Sequence, residues 1–175
     1  NKDNGEIVSS IENIHGDIRS SIAYDKKTDK IYFTTKAGYF YSASVNWTTG
    51  EIDAASLKYI DLGGMSTSTP VVYNGRAYVG VAGTGQFVTY SGHNISVIDL
   101  ASWTVAYRAY TKGYPQTSGL LSTAYEADDG YVYVYFMDNY TPGALRVIRD
   151  KKGQTGLLDG VTEVQVGAKD TVTVE

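Results

Sequence analysis

The chain has no cysteine, three prolines and two histidines among its 175 residues. Without cysteine there is neither a disulfide framework nor a thiolate metal site. Charge is also sparse. Charged residues make up 19 % of the chain and the net charge is −4, so there is no basic field to hold a phosphate backbone, and nucleic acid is not an expected partner. No run approaches the ~18 consecutive apolar residues of a membrane-spanning helix. The chain opens at Asn1 with no methionine, basic stretch or apolar stretch behind it. That start reads as a processing or cloning boundary, with any export signal already removed.

What is present points to strands and tight turns. There are 16 tyrosines and 19 glycines. Tyrosine suits strands, and glycine suits turns that need positive φ. The stretch STPVVYNGRAYVGVAG, residues 68–83, shows the pattern best. Two apolar runs flank Asn74-Gly75, the pair favoured by a two-residue type I′ hairpin. An earlier copy runs from Ser20 to Tyr24, turns through DKKTDK and resumes at Ile31-Tyr32-Phe33. A later copy runs from Ser122 to Glu126, turns through ADDG and resumes at Tyr131-Val132-Tyr133-Val134. This aligns Tyr32, Tyr78 and Tyr133.

A second hairpin follows each first one, beginning at Tyr39, Asn94 and Ala144. Four strands per unit at roughly 45–55 residues matches the blade period of a β-propeller. The expected fold is therefore all-β, with propeller blades of four antiparallel strands. Three to four blades are expected, either as a small ring or as a slice of a larger one. The whole chain, 1–175, is read as one domain with units at 15–62, 63–113 and 114–155. The two ends, including Ile7–Ile14, VTEVQV and DTVTV, are expected to add a strand pair or a further blade. No helix is expected between Ser20 and Arg149. Tyr131 to Phe136 carries bulk on alternate positions of both faces, so burial on both faces is expected there.

The tract from Ser68 to Val81, followed by Ile95-Ser96-Val97-Ile98-Asp99-Leu100, resembles the quinoprotein-like (PQQ-like) propeller repeat. Ser102-Trp103 stands where that repeat more often has Thr-Gly. The resemblance spans roughly residues 15 to 155 and implies a fold and a repeat type. Enzymes of that group add an Asp base, Ca²⁺ ligands and often a vicinal cysteine pair, and no position here matches those motifs. The resemblance therefore implies the non-enzymatic branch, found in exported bacterial surface proteins.

The chemistry-bearing residues are few. His15 and His93 are each a candidate base near serines, and each also reads simply as a loop histidine. Asp128, Asp129, Asp138 and Asn139 carry oxygens suited to Ca²⁺, but lack EF-hand spacing and read equally as turn caps. Gly83-Thr84-Gly85-Gln86-Phe87 is not followed by the Lys-Ser/Thr of a phosphate loop. Aromatics in or beside turns (Tyr39, Tyr41, Trp47, Tyr90, Trp103, Tyr110, Tyr114, Tyr140) suit sugar rings or protein partners, or packing between blades. In propellers of this type, the loop before each first strand lies near the central channel. Those loops hold His15, Arg19, Ser66, Thr67, Gln116 and Thr117, the expected ligand-binding set. Their hydroxyls serve equally to satisfy strand-end backbone groups. No catalytic residue, metal site or cofactor is expected. The function expected is a non-catalytic binding or scaffold module of an exported, cell-surface bacterial protein, engaging a glycan or protein. The alternative is a cofactor- or metal-dependent quinoprotein-like enzyme domain with its site in the channel loops.

Overall fold

Asn74 and Gly75 have φ of 47° and 79°, the positive pair a type I′ turn demands. Tyr73 and Arg76 pair directly across them. In this computed structural model, which describes residues 1–85 and 89–163, that hairpin opens the second of three four-stranded sheets. Sheet 1 comprises β1 (Ala23–Asp25), β2 (Lys30–Thr34), β3 (Tyr39–Val45) and β4 (Ile52–Asp61). Sheet 2 comprises β5 (Val71–Tyr73), β6 (Arg76–Val81), β7 (Asn94–Asp99) and β8 (Thr104–Tyr110). Sheet 3 comprises β9 (Leu120–Ser122), β10 (Val132–Asp138), β11 (Ala144–Asp150) and β12 (Thr162–Glu163). Each sheet is antiparallel with its strands in chain order.

The sheets stack in series. Alternation along β6 sends Ala77, Val79 and Val81 into one core with Tyr32, Phe40 and Leu62 of sheet 1. Tyr78, between them, points the other way, into a core with Val132, Val134, Phe136 and Ile148 of sheet 3. Every residue of β6 is buried, as a strand covered on both faces must be. The first strands adjoin: β1 contacts β5, and Gly119, just before β9, approaches Val71 of β5.

Four expectations need correction. First, a single helical turn, α1 (Glu126–Asp129), lies where a plain hairpin turn was expected. Three carboxylates in its first turn favour the N-terminal N–H groups, and Gly130 ends it in the left-handed conformation at φ 76°. Second, β9 ends at Ser122, so Ser122–Glu126 is not the opening strand of the third unit. The register shifts accordingly. Ala23 pairs with Tyr32, Val71 with Tyr78, and Leu120 with Tyr135, so Tyr135, not Tyr133, is the counterpart of Tyr32 and Tyr78.

Third, β10 is dry on one face only. Val132, Val134 and Phe136 are buried, whereas Tyr133 and Tyr135 are half-buried and Met137 is exposed. No described residue stacks a further sheet on that side. Fourth, Ile7–Ile14 forms no strand. From VTEVQV, Thr162 and Glu163 complete sheet 3 as its edge strand. The rest of that stretch, and DTVTV, lie outside the described residues.

Candidate functional site

The loops entering each sheet share a local build. Gly16, Gly64 and Gly113 each stand seven positions before the residue that pairs with the central tyrosine: Ala23, Val71 and Leu120. At each, a Cβ would fall well inside van der Waals contact of a neighbour: 2.5 Å from Ala37 Cβ, 2.4 Å from Gly83 O and 2.5 Å from Asn139 O. The next residue then accepts a backbone hydrogen bond. Lys36 N–H donates to Asp17 O (2.8 Å), Ala82 N–H to Met65 O (2.8 Å) and Asn139 N–H to Tyr114 O (2.9 Å). Glycine is required because a strand end and a loop backbone touch there with no room for a side chain.

Hydroxyls tie these loops to strand ends and to one another. Ser20 Oγ accepts from Thr34 N–H at 2.9 Å. Ser66, fully buried, donates to Gly80 O at 2.7 Å. Thr67 N–H donates to the Tyr114 hydroxyl at 2.6 Å. Thr34 Oγ1 donates to Ser68 O, and Ser68 Oγ donates to Thr117 O. Ser21 N–H donates to Thr69 Oγ1. Of the expected ligand-binding set, then, the second and third loops bring Ser66, Thr67 and Thr117 into one hydrogen-bonded run. Ser66 and Thr67 spend their polar groups on the fold. Gln116 and Thr117 have exposed side chains beside that run. Arg19 is exposed and lies 3.8 Å from Asp17.

His15 stands apart from these. The Tyr41 hydroxyl accepts its backbone N–H at 3.0 Å and lies 2.6 Å from its Nδ1. The imidazole stacks on Tyr39 with centroids 4.6 Å apart and meets Tyr59 edge-on at 5.1 Å. Tyr39 and Tyr59 are themselves edge to face at 5.7 Å. The result is a shelf of three rings on the outer face of sheet 1, with Tyr41 buried beneath and Tyr59 52 % exposed. Tyr39 and Tyr41 carry a turn-side signal in the sequence. Tyr59 does not, because it joins them only through the β3–β4 pairing, opposite Tyr41.

The strongest electrostatic feature is buried between sheets 2 and 3. Arg76 donates to Asp150 from Nε (3.0 Å) and Nη2 (3.1 Å), and from Nη2 to Gln154 O (2.7 Å). The hydroxyls of Tyr78 and Tyr107 donate to the two Asp150 oxygens at 2.8 and 2.9 Å. Asp150 is wholly buried and Arg76 nearly so. Burial and the adjacent Asp150 charge push both tyrosines well above the usual phenol range. Asp99, 3.5 Å from Arg76 Nη1, is held below the usual carboxylate range by the Ser102 backbone N–H, with Arg76 as a smaller cause. This is a closed set in which every charge has its partner. The sequence carries no local signal for it, because Arg76 and Asp150 come from different sheets.

The remaining candidates fall on local structure. Asp129 accepts Tyr131 N–H at one end of β10, and Asp138 pairs with Arg146 at the other. Among the described residues no group of three or more His, Asp or Glu side chains is placed to hold a metal. Thr84 and Ser91 exchange backbone hydrogen bonds at 3.0 and 2.9 Å, closing the Gly-rich loop on itself. Gln86 and Phe87 lie outside the described residues. Trp103 packs on Phe40 of sheet 1 at 5.5 Å and donates to Tyr59 O at 3.1 Å. Trp47, Tyr110 and Tyr140 are exposed. No protein-family model and no curated protein matches this sequence.

Proposed function

We propose that the chain is a run of quinoprotein-like propeller blades from an exported bacterial protein and acts as a non-catalytic binding module. Three repeated sheets with adjoining first strands and matched entry loops support the propeller reading. Trp103 lodged against the preceding sheet supports the repeat type. The observation that carries the binding reading is the shelf of His15, Tyr39 and Tyr59. Flat apolar ring faces with polar rims meet solvent there, next to the exposed Asp17–Arg19 pair. Such a surface takes the apolar face of a sugar ring while the rim serves its hydroxyls.

Titration with surface glycans and peptidoglycan fragments, followed by calorimetry, tests this. Binding is expected, and Tyr59→Ala is expected to weaken it roughly 3- to 10-fold, the worth of one aromatic contact. Failure to bind any of them, together with turnover of a small substrate, would sink the reading.

A further inference from the structure

The Tyr41 hydroxyl is a buried group with one proton to place. Tyr41 is 1 % exposed. Its oxygen accepts the His15 backbone N–H at 3.0 Å and lies 2.6 Å from His15 Nδ1. Among the described residues it has no other partner. A phenol donates one proton, and a buried donor without an acceptor is costly. Were Nδ1 protonated, the oxygen would face two N–H donors and its own proton would have no acceptor. Nδ1 is therefore the acceptor, and the neutral imidazole carries its proton on Nε2.

This placement decides what the shelf offers a ligand. His15 is exposed, and its Nε2 has no partner among the described residues. The nitrogen that meets solvent is thus a fixed donor and not a base. It stands at the rim of ring faces, with Tyr39 stacked at 25° and Tyr59 edge-on at 62°. A sugar lying on those faces brings its substituents to that rim. A hydroxyl can accept the Nε2–H bond, but it adds a proton that needs a partner of its own. A carbonyl oxygen accepts and adds none. A carboxylate is disfavoured, because Asp17 stands exposed just beyond His15 and the chain's net charge is −4. An acetamido group brings a neutral carbonyl together with a methyl suited to the ring faces.

We infer that Tyr41 fixes the His15 tautomer and that the resulting Nε2–H donor makes the shelf select N-acetylated sugars over sugars bearing hydroxyls alone. The selection rests on the glycan reading of the shelf, and the tautomer does not. His15 is then the specificity-determining residue and Tyr41 the residue that positions it.

Nitrogen NMR of the isotope-labelled whole chain, in mildly alkaline buffer, reads the tautomer. His15 Nδ1 should resonate as unprotonated and Nε2 as protonated, and Tyr41→Phe should turn this into a mixture. Calorimetry with trimers of N-acetylglucosamine, glucose and galacturonate reads the selection. The N-acetylglucosamine trimer should bind about 3- to 10-fold more tightly than either of the others, as one added hydrogen bond provides. His15→Phe keeps a flat ring without the donor and should erase that preference. A damaged shelf would weaken all three sugars alike and leave their ratio unchanged. A proton on Nδ1 overturns the inference, as does equal affinity for the N-acetylglucosamine and glucose trimers, tighter binding of galacturonate, or a preference that survives His15→Phe. Each of those results leaves the glycan reading standing. Failure of all three trimers to bind removes that reading, and the selection falls with it.

Discussion

The seam between sheets 1 and 2 and the seam between sheets 2 and 3 join the same kind of surface by different means. In the first, Tyr32, Phe40 and Leu62 meet Ala77, Val79, Val81 and Ile98, and Trp103 closes the rim. Its cohesion is mainly apolar area, which is non-directional. In the second, Val132, Val134, Phe136 and Ile148 supply apolar area of the same sort. One end of it, however, is given over to Arg76, Asp150, Tyr78, Tyr107 and Gln154. A buried ion pair adds little net stability over a well-packed apolar one, yet breaking it is costly. The second seam is therefore the more specific in geometry and the more fragile to single substitutions. Repetition of a sheet fixes where surfaces meet, and the side chains placed there decide how they are held.

Substitutions separate the two seams, beginning with the largest effect. Asp150→Ala removes the two-pronged partner of Arg76, leaving it Gln154 O and the more distant Asp99, and strands two tyrosine hydroxyls; it should cost about 3–5 kcal/mol in urea unfolding. Ile98→Ala in the apolar seam opens a cavity and should cost about 2–5 kcal/mol. Only Asp150→Ala should become milder when Arg76→Met is added. Alkaline pH should act through the second seam. Tyr78 and Tyr107 titrate higher in the folded chain than the usual value of 10.0. Their stabilisation is thus complete below pH 10 and is lost as pH rises above it, because the unfolded chain releases those protons first. Each tyrosine should contribute a fall of about 1.4 kcal/mol per pH unit. Unfolding curves at pH 10 and 11 should show that slope reduced most in Tyr78→Phe and less in Tyr32→Phe, because burial raises Tyr32 as well but no buried carboxylate adjoins it. The smallest effect belongs to Trp103→Phe, which loses the bond to Tyr59 O and should cost about 1 kcal/mol.

Much of the secondary structure is legible along the chain because hairpins are local. Asn74-Gly75 names its own turn type, and the alternation in residues 71–81 marks two strands. The third unit is less legible. Ser122-Thr123 looks like the Ser-Ser and Ser-Thr openings of the other units, yet the residue pair in that place is Thr117-Ser118, and the acidic turn after Ser122 winds into α1. Local similarity competed there with spacing from Gly113, which is the better guide because a backbone contact enforces it. The loop residues Ser66 and Thr67 were readable as polar. That their groups serve Gly80 O and the Tyr114 hydroxyl depends on strands far along the chain. Arg76 and Asp150 were beyond reach for the same reason, since neither sits in a pattern until sheets 2 and 3 are brought together.

Serial packing of sheet 3 on sheet 2 is tested most directly by a double-mutant cycle between Arg76→Met and Asp150→Leu in chemical denaturation. A coupling of at least about 2 kcal/mol is expected, because the second change removes the charge that the first leaves stranded. Effects that add to within about 0.5 kcal/mol would mean that the two residues do not meet, and the stacked arrangement of these sheets would be contradicted.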